Sequence, residues 1–326
     1  MLLRLFKNNR TGGILFLLVL GILIWFPLLS QDVNIPVYRD MPLYNLLLGN
    51  LNEFPVMSAI LAFVLIAVMA IMLFRLNIRF FLIQERTFMP ASFFLIISSA
   101  SPAMHHISPI LIGSFFLLLV LVSIFGAYNS EENSLSFFNA ALLFALGTLF
   151  YGKLLWFIPL LWIILLTIRK PGWREFLFTP VALFITFLFL FTFYLMTGDL
   201  DKLGIIPESL RIEGTWPDLQ LSWSVFIAYL FFLIIIASLF ILQRYQVRKI
   251  YVRNFYQALF FTFIYSLAFF LLVSGFEIRS IYFMAIPLSY LLANYFHSKK
   301  NRFTGELMLA LLLGLVVWVQ WNYLFP

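Results

Sequence analysis

Long apolar runs recur along the whole chain, and they restrict its possible folds more than any other feature. A bilayer core about 30 Å thick is crossed by a helix of roughly 20 apolar residues. Runs of about this length follow one another with only short polar turns between them. We therefore predict an all-α integral membrane protein with about eleven spanning helices, at 12–30, 55–74, 88–104, 108–127, 135–152, 154–168, 177–196, 222–242, 256–274, 280–297 and 305–324.

The composition supports this prediction and removes several classes of function. The chain is 63% hydrophobic and 11% charged, whereas a soluble domain typically carries about 25% charged residues. It contains no cysteine, which excludes disulfides, thiolate nucleophiles and metal–thiolate sites. Walker, GxGxxG, GxSxG and HExxH motifs are absent from the sequence. The net charge of +7 indicates membrane topology and anionic lipids, and no nucleic-acid partner is expected.

Two of the predicted spans are weak. The run 88–104 contains Pro90, Pro102 and the serines Ser98, Ser99 and Ser101, and 154–168 is short. We expect these segments to be half-helices or re-entrant pieces, which membranes tolerate only inside protein or beside a cavity.

The distribution of basic residues predicts the topology. With a cytoplasmic N-terminus, only five of the 21 Lys and Arg residues fall in external segments, and the other sixteen fall in cytoplasmic ones; the external five are Arg39, Lys153, Lys202, Arg211 and Arg279. Such an excess of cytoplasmic cations is the positive-inside pattern. We expect one polytopic domain (1–326) in a bacterial inner membrane, with its C-terminus on the periplasmic side and its first apolar run retained as a spanning helix.

Two external loops, 31–54 and 197–221, are long enough to fold. In the first loop, DMPLYNLLLGN (40–50) predicts a short surface helix that Asp40 caps and in which Pro42 lies near the start. The cytoplasmic run LFRLNIRFFLIQER (73–86) suggests a second helix at the membrane surface.

The candidate chemistry lies in the predicted external segments. Asp40, next to Arg39, is a candidate general base or divalent-metal ligand; the alternative is a helix cap paired to Arg39. His105 and His106, in SSASPAMHHISP, are candidates for metal binding, phosphate binding or proton transfer. Their alternative is a hydrated turn at the interface.

Two further cations complete the candidate set. Lys153 in LFYGKLLWF is flanked by apolar spans, where a charge is expensive and indicates function by default. A lysine that extends its ammonium group to the interface is the alternative. Arg279 follows Glu277 closely, and a local ion pair between them is the plainer interpretation.

Two resemblances can be recognised. RSIYFMAIPLSYLLANYF (279–296) and LFYGKLLWFIPLLWIILL (149–166) resemble an uncharacterised multipass family of Bacteroidetes, which implies no particular activity. More distantly, residues 1–200 resemble the GT-C superfamily of membrane glycosyltransferases that use polyprenyl-phosphate sugars. The residues that carry this second likeness are VYRDMPLYNLL (37–47) and FNAALLFALGTLFYGKLLWFIPLLWIILLTIRKPGW (138–173).

The GT-C resemblance implies a site at the external face. An acidic residue, here Asp40, would engage the acceptor or a metal, with His105 as a further metal ligand. Arg39, His105, His106, Lys153 and Arg279 would bind the lipid phosphate. The chain departs from the family pattern because its first loop lacks a paired acidic dipeptide and no large external C-terminal domain follows.

Three functions follow from these features. The first is transfer of a sugar from a polyprenyl-phosphate lipid, which implies membrane-lipid partners. The second is a non-catalytic scaffold or assembly subunit of a cell-envelope complex, which implies protein partners. A transporter is the third, but the confident spans hold no acidic residue at mid-helix and no internal repeat is evident.

Overall fold

The computed structural model describes residues 11–25, 41–83, 85–128, 133–168, 172–212, 220–243, 250–299 and 302–324. All regular structure in these ranges is helical, as the sequence predicts. The α-helices are α1 Thr11–Trp25, α2 Pro42–Leu48, α3 Pro55–Phe80, α4 Met89–Ser98, α5 Pro109–Ala127, α6 Asn133–Thr148, α7 Ile158–Ile168, α8 Trp173–Thr197, α9 Ile205–Ser209, α10 Leu221–Gln243, α11 Ile250–Leu272, α12 Ile281–Ser298 and α13 Arg302–Leu324. Short 3-10 helices cover Gly49–Glu53, Pro102–Met104, Gly152–Phe157, Leu200–Gly204 and Ile278–Ser280.

Six helices among the described residues are long and apolar enough to cross a membrane: α3, α5, α8, α10, α11 and α13. Several helices of this kind in one chain indicate a multipass membrane protein. The remaining predicted spans coincide with shorter helices or with α12.

Helices α4 and α12 form the centre of the bundle. Every residue of α4 is buried, and so is every residue of α12 from Ile281 to Phe296. The two helices pack against each other, and α3, α10, α11 and α1 surround them. Helix α8 lies at the periphery, where only 22% of its spanning window is buried. Its outer face is therefore available to lipid.

The two weak spans are short helices, as predicted: α4 is wholly buried, whereas α7 is partly exposed, with Trp162 at 38% and Leu166 at 59%. Helix α4 ends at Ser98, so the predicted span 88–104 is too long at its C-terminal end. The chain then runs without α-helix through residues 99–108, because Pro102 and Pro109 cannot continue a preceding helix. Helix α7 is likewise only 11 residues long, after a 3-10 turn.

The predicted surface helix at 73–86 is wrong. Helix α3 continues without interruption to Phe80, because its apolar run extends from the spanning segment. The chain reverses at Phe81, which has a left-handed φ of 48°. Asn77 stabilises the reversal: its Oδ1 accepts from the backbone N–H of Ile83 at 2.9 Å, and its Nδ2 donates to the Glu85 carbonyl at 3.4 Å.

Small residues allow the helices beside the candidate site to approach closely. Ala141 and Ala145 of α6 pack against Ala182 of α8. A Cβ added at Gly147 would lie only 2.7 Å from the Cβ of Phe116. Contacts of this kind stabilise helix pairs in lipid, where hydrophobic burial between helices contributes little.

Candidate functional site

Residues 99–108, which we call the histidine turn, form a buried non-helical connection between α4 and α5. All but Ala103 are buried. At the end of the turn, Ser108 caps α5 by accepting from the backbone N–H of Leu111 at 3.3 Å. A buried non-helical backbone requires hydrogen-bond partners from other parts of the protein.

Ser99 is the most heavily bonded residue of the histidine turn. Its carbonyl accepts from Nε2 of Gln320 at 3.1 Å and lies 3.1 Å from Nε2 of His105. Its hydroxyl accepts from Nε1 of Trp25 at 2.9 Å. Because a carbonyl only accepts, His105 carries its proton on Nε2. The His105 ring also stacks on Trp25, with ring centroids 4.3 Å apart.

Side chains of two other helices form hydrogen bonds with the backbone of Ile107, near the end of the histidine turn. The backbone N–H of Ile107 donates to the hydroxyl of Ser58 on α3 at 3.1 Å. The carbonyl of Ile107 accepts from the hydroxyl of Tyr44 on α2 at 3.4 Å. The turn is thereby attached to α2 and α3 as well as to α1 and α13.

Two side chains at the start of α12 donate to further backbone carbonyls of the histidine turn. Nε of Arg279 donates to the carbonyl of Ala103 at 3.0 Å, and the hydroxyl of Tyr282 donates to the carbonyl of Met104. Nη1 of Arg279 lies 3.4 Å from Oε1 of Glu277. The predicted Glu277–Arg279 ion pair is present, and it orients an arginine that also braces the turn.

Both histidines of the turn are electrically neutral at neutral pH. Burial lowers the pKa of His105 to about 3. Burial, reinforced by the positive charge of Arg279, lowers the pKa of His106 to about 4. Each ring therefore offers one N–H donor and one lone pair instead of a positive charge. Neutral imidazoles form hydrogen bonds but do not compensate the charge of a phosphate.

Residues 149–153, which we call the lysine turn, form a second connection. They lead from the end of α6 into the 3-10 helix Gly152–Phe157 and include its first two residues. Lys153 is 7% exposed. A Cβ at its neighbour Gly152 would lie 2.2 Å from Oγ of Ser209 and 3.1 Å from Sδ of Met41. Only glycine fits between these two residues, so the lysine turn, α9 and the start of α2 meet at Gly152.

The predicted catalytic residue Asp40 and its neighbour Arg39 lie outside the described residues. The N-cap position of α2 is Met41, whose side chain makes no capping hydrogen bond, and the capping role of Asp40 remains a prediction. Pro42 occupies the first turn of α2, and the helix therefore begins at this residue. Met41 is fully buried, and its Sδ lies beside Gly152.

Helix α2 links the histidine turn to the lysine turn. The backbone N–H of Leu43 donates to the carbonyl of Leu149 at 3.3 Å, while Tyr44 bonds to the histidine turn. The two turns are also connected through α12, because Tyr151 stacks on Phe283 with centroids 6.0 Å apart. His105, His106 and Arg279 thus form one cluster, and Lys153 belongs to a neighbouring turn at the same end of the bundle.

An apolar groove of about 480 Å³ lies between α2, α6 and α8. It is lined by Pro42, Leu43, Leu46, Leu142, Leu146, Leu149, Ile185, Thr186, Phe189, Leu190, Phe193 and Tyr194. One end of the groove reaches Leu149 of the lysine turn, where Leu203 and Ile206 pack over Leu149, Leu190 and Tyr194. The other parts of the groove face the periphery, where Phe189 is 73% exposed. A volume of this size is typical of ligand sites.

Within the described ranges, no group of three or more His, Asp or Glu residues could hold a metal ion. The predicted metal pair of Asp40 and His105 therefore remains a prediction that depends on Asp40. Nε2 of His105 is already engaged with Ser99, which leaves Nδ1 for any ligand.

Sequence reasoning missed Ser99, Gln320 and Ser209. A signal existed for Gln320, the single glutamine within the apolar run of α13, because a polar residue inside a spanning helix usually has a partner. Ser209 and Gly152 lie 57 positions apart and carry no shared motif, so only the fold reveals their contact.

The comparisons with known proteins add no relative. No family model matches the chain, and no significant match was found among curated proteins or solved structures.

Proposed function

We propose that this chain is a GT-C-like glycosyltransferase that takes a sugar from a polyprenyl-phosphate lipid at the periplasmic face of a bacterial inner membrane. The observation that carries the proposal is the apolar groove, which runs from the lipid-facing flank of α8 to the lysine turn. A polyprenyl phosphate has the matching chemistry, since it joins a long apolar chain to an anionic head group.

The residues assigned to the reaction are Asp40 and Lys153, the latter in the lysine turn that adjoins the groove at Leu149. Lys153 would stabilise the phosphate, since a fixed cation in a site with little water interacts strongly with a developing negative charge. Asp40 would act as general base on the acceptor hydroxyl. The residue that follows it, Met41, lies beside Gly152, which directly precedes Lys153.

The topology belongs to the same proposal. The eleven predicted spans, a cytoplasmic N-terminus and a periplasmic C-terminus place α2, the histidine turn and the lysine turn on one side of the membrane. The side-chain bonds from Tyr44, Tyr282 and Gln320 to the histidine turn are compatible with this arrangement, because they gather the corresponding helix ends at one end of the bundle.

The test uses the full chain in lipid nanodiscs with labelled polyprenyl-phosphate sugars. We expect Lys153→Met to weaken binding of sugar-free polyprenyl phosphate, and Asp40→Asn to abolish sugar release while binding persists. Lys202→Met is the matched control, because Lys202 is a cation of the other predicted external loop whose side chain is 58% exposed and paired with Asp199. Unchanged sugar release by Asp40→Asn would refute the catalytic role.

A non-catalytic envelope scaffold is the second candidate. The observation in its favour is the outer face of α8, where Phe184 is 68% and Met196 is 82% exposed. A partner subunit would cover this face in a complex. Under this reading Asp40→Asn leaves the cellular phenotype intact, whereas Phe184→Ser together with Met196→Ser disrupts the complex.

A further inference from the structure

Three buried ring nitrogens of the histidine turn lack a hydrogen-bond partner in the part of the chain that the structure describes. They are Nδ1 of His105 and both ring nitrogens of His106. His105 is fully buried and His106 is 4% exposed. Buried polar side chains in native proteins nearly always have a partner, and each exception requires an explanation. Single buried atoms without a partner also occur elsewhere among the described residues, for example Nε1 of Trp223 and Nδ2 of Asn294, but three of them gather on two adjacent rings here.

We propose that this edge of the histidine turn, together with Arg279, binds an uncharged group rich in hydroxyls, such as a sugar. The inference rests on the proposed function, since the sugar would be the one carried by the lipid donor. It replaces the phosphate-binding role that the sequence predicts for the two histidines.

The pattern of donors and acceptors favours hydroxyls over an anion. Nε2 of His105 donates to Ser99, so Nδ1 presents a lone pair. His106 is neutral and presents one N–H and one further lone pair. Two lone pairs require a ligand that donates protons. A sugar hydroxyl donates and accepts at once, whereas a fully ionised phosphate only accepts and would leave both lone pairs without a partner.

Arg279 is the member of this cluster with the most solvent contact. Its side chain is 15% exposed and that of Glu277 is 27% exposed, whereas His105 is fully buried and His106 is 4% exposed. The Arg279 Nε is committed to the Ala103 carbonyl. Of the two rings, His106 is the one whose pKa is lowered by the positive charge of Arg279 in addition to burial, so a group bound at His106 would also lie within reach of the charge of Arg279.

The experiment compares two lipids on the full chain in nanodiscs. One is sugar-free polyprenyl phosphate, and the other is the same lipid carrying mannose, glucose or arabinose. We expect at least one sugar-bearing lipid to bind wild type more tightly than the sugar-free lipid. His106→Phe should reduce that sugar-dependent advantage about ten-fold, as expected when hydrogen-bonding groups of a ligand lose their partner. His106→Asn, which retains one donor and one acceptor, should restore part of it.

Two controls separate the sugar from the phosphate. Lys153→Met should weaken both lipids equally, and His297→Phe, at the other end of α12, should change neither. Provided that wild type binds the sugar-free lipid, the proposal is overturned if no sugar improves that binding, if His106→Phe weakens both lipids equally, or if correctly folded His106→Phe binds as wild type does. The last result would mean that the ring nitrogens are satisfied by internal water.

A final arm distinguishes failure of this inference from failure of the proposed function. If wild type binds neither lipid, the proposed function is wrong. The methyl glycosides of the same three sugars are then tested as free ligands by thermal shift. A shift that disappears in His106→Phe and persists in Lys153→Met would support the hydroxyl site by itself, and no shift would overturn it.

Discussion

The contact at Gly152 gives the sharpest prediction, because it couples two residues from distant parts of the sequence. A methyl group at position 152 would lie 2.2 Å from Oγ and 3.0 Å from Cβ of Ser209. Ordinary contacts of this kind begin near 3.4 Å, so the Ser209 hydroxyl must leave its position and the backbone of α9 must shift by a few tenths of an ångström. The Ser209 hydroxyl cannot rotate away freely, since it donates to the Ile206 carbonyl at 2.8 Å.

The expected loss of stability follows from overpacking. Forcing an additional methyl group into a packed contact typically costs about 1–3 kcal/mol. Gly152 does not have a positive φ, so alanine also gains about 0.4–1 kcal/mol from the unfolded state. We therefore expect Gly152→Ala to lower the free energy of unfolding by about 1–2 kcal/mol. Ser209→Gly removes both clashing atoms and should restore most of that loss when the two substitutions are combined.

The assay is a double-mutant cycle on unfolding in mixed micelles. We expect a coupling free energy of about 1–2 kcal/mol between the two positions, as is usual for residues in direct contact. Gly204→Ala is the control, because a Cβ at Gly204 meets nothing within 4 Å. Additive effects of Gly152→Ala and Ser209→Gly would show that the two side chains do not compete for the same space.

Three further predictions concern the histidine turn and the groove. Gln320→Leu removes the donor to Ser99 and to the Ile24 carbonyl, and should lower the free energy of unfolding by about 1–3 kcal/mol, measured by the same assay. Ile185→Trp fills the groove and should block binding of polyprenyl phosphate, whereas Phe184→Trp, on the next residue but outside the groove, should not. Because the pKa of His106 is about 4 when folded and 6.5 when unfolded, the unfolded chain takes up the proton first as pH falls. The contribution of His106 to stability should therefore decrease by about 3 kcal/mol between pH 6.5 and 4. His105, whose pKa burial lowers to about 3, adds a decline of its own, so His106→Asn should remove only the first contribution.

Hydrophobic run length was enough to predict the helical fold and the places where it is interrupted. The prolines and serines of SSASPAMHHISP correctly marked a break after α4. They did not reveal that the break is buried, because burial depends on Trp25, Tyr44 and Gln320, which arrive from remote helices. The 73–86 segment was misjudged for a related reason: its arginines suggested a surface helix, whereas the apolar face of α3 continues through it.

The candidate site was only partly predictable. The distribution of basic residues between the predicted loops suggested that His105, His106 and Arg279 lie on the same side of the membrane. The structure brings these three residues together. The protonation state of the histidines could not be read from the sequence, since it depends on burial that the fold creates. From the sequence alone, two histidines and an arginine suggest a site for an anion. In the folded protein, burial lowers the pKa of both histidines, and the rings are therefore neutral.

Few polar residues lie inside this bundle, and several of them bond to more than one partner. A non-helical segment inside a bilayer protein must have every backbone group satisfied, and the histidine turn recruits side chains from five helices or helix starts for this purpose. Arg279 supports the Ala103 carbonyl through Nε and faces Glu277 through Nη1. Packing alone would be served equally well by an apolar residue at position 106, which would leave no ring nitrogen unpaired. A histidine at that position lowers stability unless something fills its hydrogen bonds, and a bound hydroxyl would do so only while the ligand is present. The turn would then be more stable with its ligand than without it, and loss of ligand-dependent stabilisation in His106→Phe, with the packing retained, is the measurement that separates this explanation from simple core packing.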